Sequence, residues 1–74
     1  MPKLPILSPE KLSRVLERKG LYWIGLREVI MLYFYPDLDV TITIPFHKKE
    51  VGKGLLIEIM KQAGITREEL LDLL

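Results

Sequence analysis

The spacing of apolar residues changes several times along this chain, and each change marks an element. Between Ser8 and Gly20, Leu12, Val15 and Leu16 recur at helical spacing, while Lys11, Arg14 and Arg18 fall on another face. Ser8 can accept from an orphan N–H, Pro9 has no N–H to lose at a first helical position, and Gly20 suits a left-handed cap. A helix is therefore predicted over 9–19. Residues 21–26 and 29–35 are rich in aromatic and branched side chains and read as strands joined through Arg27-Glu28. Pro36-Asp37-Leu38-Asp39 supplies turn chemistry. Residues 40–44 then alternate, with Val40, Ile42 and Ile44 inward and Thr41 and Thr43 outward, until Pro45 ends the strand.

Helical spacing returns over about 55–63, where Leu56, Ile59, Met60 and Ala63 form a stripe and Gly64 is placed to cap it. Thr66 and Glu69 make a capping box that opens a short last helix. Residues 1–7, with two prolines, read as an extended lead-in, and a loop over 46–53 carries His47, Lys48, Lys49 and Glu50. The order is helix, three antiparallel strands, helix, short helix. It predicts an α+β sandwich of two layers, with helices on one face of a meander.

Seventy-four residues allow one domain, 1–74. With no cysteine there is no disulfide, thiolate zinc site or cysteine nucleophile, and the single histidine, His47, excludes chemistry that needs two imidazoles. A composition 49% hydrophobic, with mean hydropathy +0.18 and net charge +1, is too apolar for disorder and gives no global pull toward nucleic acid. No apolar run approaches the roughly 20 residues of a membrane span, and the start lacks a secretory pattern. A cytoplasmic domain with no cofactor, metal or membrane partner is expected. Asp37 and Asp39 belong to the turn rather than to a metal site, and the spacing of Gly52 and Gly54 fits no phosphate loop.

One stretch departs from the two-layer pattern. Residues 29–35 are apolar or aromatic at both parities, and Leu55 and Ile57 lie off the stripe of their helix, so apolar surface is expected to face outward. Among the aromatics, Trp23 and Tyr33 are assigned to the core, with Tyr22, Phe34 or Tyr35 outside.

Several of these segments resemble the HicA (YcfA-like) toxins, the mRNA interferases of HicA–HicB pairs. They are Ile44-Pro45-Phe46-His47, Lys53-Gly54, Ile59-Met60-Lys61-Gln62-Ala63-Gly64-Ile65-Thr66, Leu32-Tyr33, Pro36-Asp37 and the helix ending at Gly20. The resemblance runs over about 8–72 and implies a fold like the double-stranded-RNA-binding domain. It also implies a Gly-Ser-His or Gly-Gly-His signature entering the second strand. Counted back from Pro36, that signature falls on Glu28-Val29-Ile30, which puts Ile30 where the family carries its catalytic His. Positions often polar or basic in the family are Met31, Phe34, Tyr35 and Ile57 here.

An isoleucine neither moves protons nor stabilises charge on a phosphate. The expectation is therefore a catalytically silent HicA-like module that binds protein through Ile24, Leu26, Ile30, Met31, Phe34, Leu55 and Ile57. Its partner would be a second copy, a HicB-like antitoxin or, for a redesigned scaffold, an engineered target. The alternative is a HicA-type mRNA interferase working through His47, or an RNA-binding protein without cleavage. In either case Lys11, Arg14, Arg18, Lys48, Lys49 and Lys53 are the candidates for phosphate contacts. Glu10, Glu17 and Glu50 interleave with these cations and dilute their field.

Overall fold

The computed structural model describes residues 4–46 and 49–74. The elements follow in the order α1 (Pro9–Lys19), β1 (Tyr22–Arg27), β2 (Ile30–Tyr35), β3 (Val40–Pro45), α2 (Lys53–Ala63) and α3 (Arg67–Leu73). The strands form an antiparallel meander, β1-β2-β3, with β2 in the middle. The predicted α+β two-layer architecture and its third helix are present.

Local chemistry sets the helix limits. The Ser8 hydroxyl accepts from the Lys11 amide, Pro9 opens α1, and Gly20 at φ 112° returns its N–H to the carbonyls of Leu16 and Glu17. Thr66 caps α3 by accepting from the Glu69 amide at 3.1 Å. The second helix starts two residues earlier than expected, because Gly52 caps it and Gly54 lies inside the first turn.

The core lies between the helices and one face of the sheet. Leu12, Val15 and Leu16 of α1, Leu56, Ile59 and Ala63 of α2, and Leu70 of α3 are fully buried against Tyr33, Ile42 and Ile44 of β2 and β3. Register explains the choice of face: Tyr33 lies opposite Ile42, and Tyr35 opposite Val40, so odd-numbered β2 residues share a face with the even-numbered residues of β3. Tyr35 is therefore core. Trp23 is not, and this corrects the aromatic assignment made from sequence. It lies opposite Tyr33 and so on the helix side, yet it remains 55% exposed because β1 is the edge strand and the helices leave it uncovered there.

Two polar links cross the layers. The hydroxyls of Ser13 and Tyr33 are hydrogen-bonded, and the Tyr33 hydroxyl donates to Glu17 Oε1 at 3.2 Å. A phenol has one proton to give, so Ser13 is the donor to Tyr33. Between α1 and α3, Lys19 Nζ and Glu69 Oε2 are 2.7 Å apart and Arg18 Nη1 donates to the Leu73 carbonyl at 2.6 Å, holding α3 to α1. The hydrogen bond to Glu69 raises the Lys19 pKa above its ordinary value, against partial desolvation.

Burial raises the pKa of Tyr33, with the hydrogen bond from Ser13 opposing the shift. The fold thus favours the neutral phenol. Its contribution to stability is fully present below pH about 10 and is lost as pH rises through the higher folded value. Tyr33→Phe should cost about 1–2 kcal/mol in urea unfolding at neutral pH, because the buried Ser13 hydroxyl loses its partner. The same variant should lose stability less steeply than the parent above pH about 10.

Candidate functional site

A pleated strand sends neighbouring side chains to opposite faces, and here the helices cover one of them. The register places Ile30, Leu32 and Phe34 on the other. Phe34 lies opposite Tyr22 of β1 and Thr41 of β3, Leu32 opposite Gly25 and Thr43, and Ile30 opposite Arg27 and Pro45. The centre of the outer face is therefore apolar, with threonines along β3 and one cation, Arg27, on β1. No described helix covers it, and Ile30, Leu32 and Phe34 are only partly buried, by their neighbours in the sheet.

The face continues around the edge of the sheet. Tyr22, Trp23, Ile24 and Leu26 of β1, together with Val29 in the turn, are five of the nine large hydrophobic residues found exposed among those described. The other edge strand, β3, shows alternating threonines to solvent and ends in proline. A bulge between Trp23 and Gly25 makes Ile24 an extra residue in β1. At the far end of the hairpin, the Phe46 amide donates to the Val29 carbonyl at 2.9 Å, tying the loop after β3 to the turn beside Ile30.

The seven apolar residues picked from sequence do not form one surface. Ile24 and Leu26 are exposed on β1, and Ile30 and Phe34 lie on the outer face. Met31 lies opposite Leu26 and Ile44 on the helix side, where it packs against the core, as does Leu55 of α2. Ile57 lines a separate shallow cleft of about 200 Å³ with Leu4, Met60, Lys61, Ile65 and Arg67. Tyr22 and Leu32 belong to the outer face and Trp23 to the exposed edge. Strand parity, fixed from Tyr33, carries the signal for Leu32, and Tyr22 follows from its place opposite Phe34.

The basic candidates also separate. Lys11, Arg14 and Arg18 border one open cleft of about 290 Å³ between α1, the segment 5–7 and the end of α3, with Leu7, Val15 and Leu73 as its apolar lining. Lys49 and Lys53 are exposed elsewhere, in the loop before α2 and at its start. His47 and Lys48 lie outside the described residues. Among the described residues no group of acidic or imidazole side chains could hold a metal ion, and no helix is long and apolar enough to cross a membrane.

Compared with known protein families, the chain matches the model of the HicA toxin of bacterial toxin-antitoxin pairs over residues 9–65, from the first turn of α1 to just past α2. The chain belongs to the HicA toxin family. No protein in the curated set matches it closely enough to count as a relative. The HicA match spans all three strands, so the apolar outer face and the exposed β1 edge are features of a HicA-family domain.

Glu28, in the β1–β2 turn, has φ 56°, a left-handed conformation that glycine adopts without steric cost. Glu28→Gly should therefore raise unfolding stability by roughly 0.5–1 kcal/mol, the relief of strain exceeding the added chain entropy. Calorimetry beside Gly20→Ala checks the reasoning, since that change at φ 112° should lower stability instead.

Proposed function

We propose that this HicA-family domain is catalytically silent and acts by binding protein through the outer face of its sheet. The observation that carries this reading is the run of Tyr22, Ile30, Leu32 and Phe34 across that face, interrupted by a single cation. Ribonucleolytic cleavage needs a group that titrates near neutral pH and donors for the developing phosphate charge. In this reading Ile30 holds the position of the family's catalytic imidazole, and its branched hydrocarbon supplies neither.

RNA affinity comes mainly from cations placed on phosphates. An apolar sheet face instead favours a partner that removes it from water, and half-buried aromatic and branched side chains are the usual anchors of such contacts. A toxin-antitoxin family gives the partner class: an antitoxin-type protein of the HicB kind, or a second copy of the domain. In the first case the module would occupy an antitoxin without cutting RNA.

Expression in bacteria, followed by RNA integrity and pull-down against a co-expressed HicB-type antitoxin, tests the reading. The expected outcome is normal growth, intact RNA and capture of the antitoxin, with capture weakened about tenfold or more by Phe34→Lys on the central strand of the face. Growth arrest with RNA cleavage that disappears in His47→Ala would overturn it.

A further inference from the structure

The edge strand carries information that the outer face does not. A strand left at the edge of a sheet is ordinarily guarded by charge, proline or polar side chains. In this sheet β3 is guarded in that way, by threonines and Pro45, whereas β1 has only its bulge and the terminal Arg27 and exposes Tyr22, Trp23, Ile24 and Leu26. The exposed side chains lie on both faces of β1, since Tyr22 is opposite Phe34 on the outer side and Trp23 opposite Tyr33 on the helix side. A partner lying flat on one face would leave the other half wet. A partner strand added to the edge covers both.

The bulge makes this strand self-complementary. Because Ile24 is an extra residue, the alternation of faces restarts at Gly25. Tyr22 and Arg27 consequently share the outer face, opposite Phe34 and Ile30, while Trp23 and Leu26 share the helix face, opposite Tyr33 and Met31. An antiparallel copy of β1, related by a twofold axis between Ile24 and Gly25, therefore meets it with faces matched. Trp23 sits opposite the partner's Leu26, Tyr22 opposite the partner's Arg27, and Ile24 opposite the partner's Gly25. A Cβ built on Gly25 finds nothing within 4 Å, so its side is open to receive an isoleucine.

Charge and area agree with that arrangement. The only charged residue of β1 is Arg27 at its end. Antiparallel pairing puts the two guanidinium groups about five residues apart, roughly 17 Å at strand rise, beyond the screening length of about 8 Å at physiological salt. Each also lands beside a tyrosine ring, a favourable cation–π placement. The half-exposed aromatic rings offer roughly 100 Å² each. With Ile24 and Leu26 of the strand and Val29 of the adjoining turn, the edge presents on the order of 400–500 Å² per copy, and a symmetric pair approaches the about 1,000 Å² expected of a specific interface.

We infer that this domain forms a twofold dimer by antiparallel β1–β1 pairing, which extends the three-stranded sheet across two copies. The inference rests on reading this hairpin as a protein-binding surface, and it commits that surface to a second copy of the chain. Both the interface and the closed symmetry follow from one strand meeting itself.

Sedimentation equilibrium on the full chain from micromolar to millimolar tests it, with circular dichroism to confirm that each variant folds. The parent should be dimeric at the upper concentrations. Trp23→Lys, at an exposed site, should raise the dimer dissociation constant about tenfold or more. The double variant Trp23→Lys/Leu26→Glu should recover most of that loss, because each new cation would face a new carboxylate across the twofold, whereas Trp23→Lys/Leu26→Lys should stay monomeric. A parent that is monomeric throughout overturns the dimer, while capture of an antitoxin-type protein by that same monomer would leave the broader reading intact. Dimerisation that survives Trp23→Lys but is lost in Phe34→Lys overturns the edge pairing and assigns self-association to the outer face.

Discussion

Two helices can cover one face of a three-stranded sheet, and pleating sends every second side chain to the other. The structure depends on that constraint. Tyr33 fixes its sense: fully buried, opposite Ile42, with its hydroxyl held by Ser13 and Glu17 of α1. Once Tyr33 points at the helices, Tyr35 and Met31 must follow it inward, and Ile30, Leu32 and Phe34 must face away. A one-residue slip of β2 would exchange the two sets and bury Phe34 where the phenol now finds its partners. A buried polar group thus selects between two registers that apolar burial alone separates poorly in so apolar a strand.

Pleating and burial also decide how much of the fold is readable from residues alone. Elements that obey local rules were legible: the Ser8-Pro9 start and Gly20 stop of α1, the Thr-Ile alternation of β3, and the Thr66–Glu69 cap of α3. Each is decided by chemistry within a few residues. The parity of β2 was not legible, because residues of both parities are apolar and the hydrogen bond that settles it comes from Ser13, twenty residues earlier. Trp23 lies outside the core for a related reason. Its parity does point to the helix side, but whether a helix covers that end of the edge strand is a tertiary matter.

For the candidate surface, sequence supplied the excess of apolar residues and structure sorted it. By pattern alone Met31 and Leu55 group with Phe34, since all exceed what a two-layer fold needs, yet both have room against the core. The bulge at Ile24 was invisible in Leu-Tyr-Trp-Ile-Gly-Leu, where an extra residue leaves no gap in an apolar run. Its effect is nonetheless large, since it decides which faces Tyr22, Trp23 and Leu26 share.

The departures from local rule concentrate on one hairpin; outside it Asp39, at φ 52° in the β2–β3 turn, takes a left-handed conformation that aspartate tolerates. β1 carries the bulge, the exposed aromatic pair and Gly25 at φ 152°, the turn holds Glu28 in a left-handed conformation, and β2 presents apolar side chains on its uncovered face. The helices depart less: Ser8 and Thr66 cap α1 and α3, α2 starts at Gly52 without a side-chain cap, and all three bury their apolar stripes. A sequence that satisfies local preferences in most of its length and breaks them together in one place marks that place as the part shaped by something other than folding. In this HicA-family domain, aromatic and branched side chains held half in water at the edge of a sheet are stable against folding but costly against solvent. Burial against another strand removes that cost without rearranging the core.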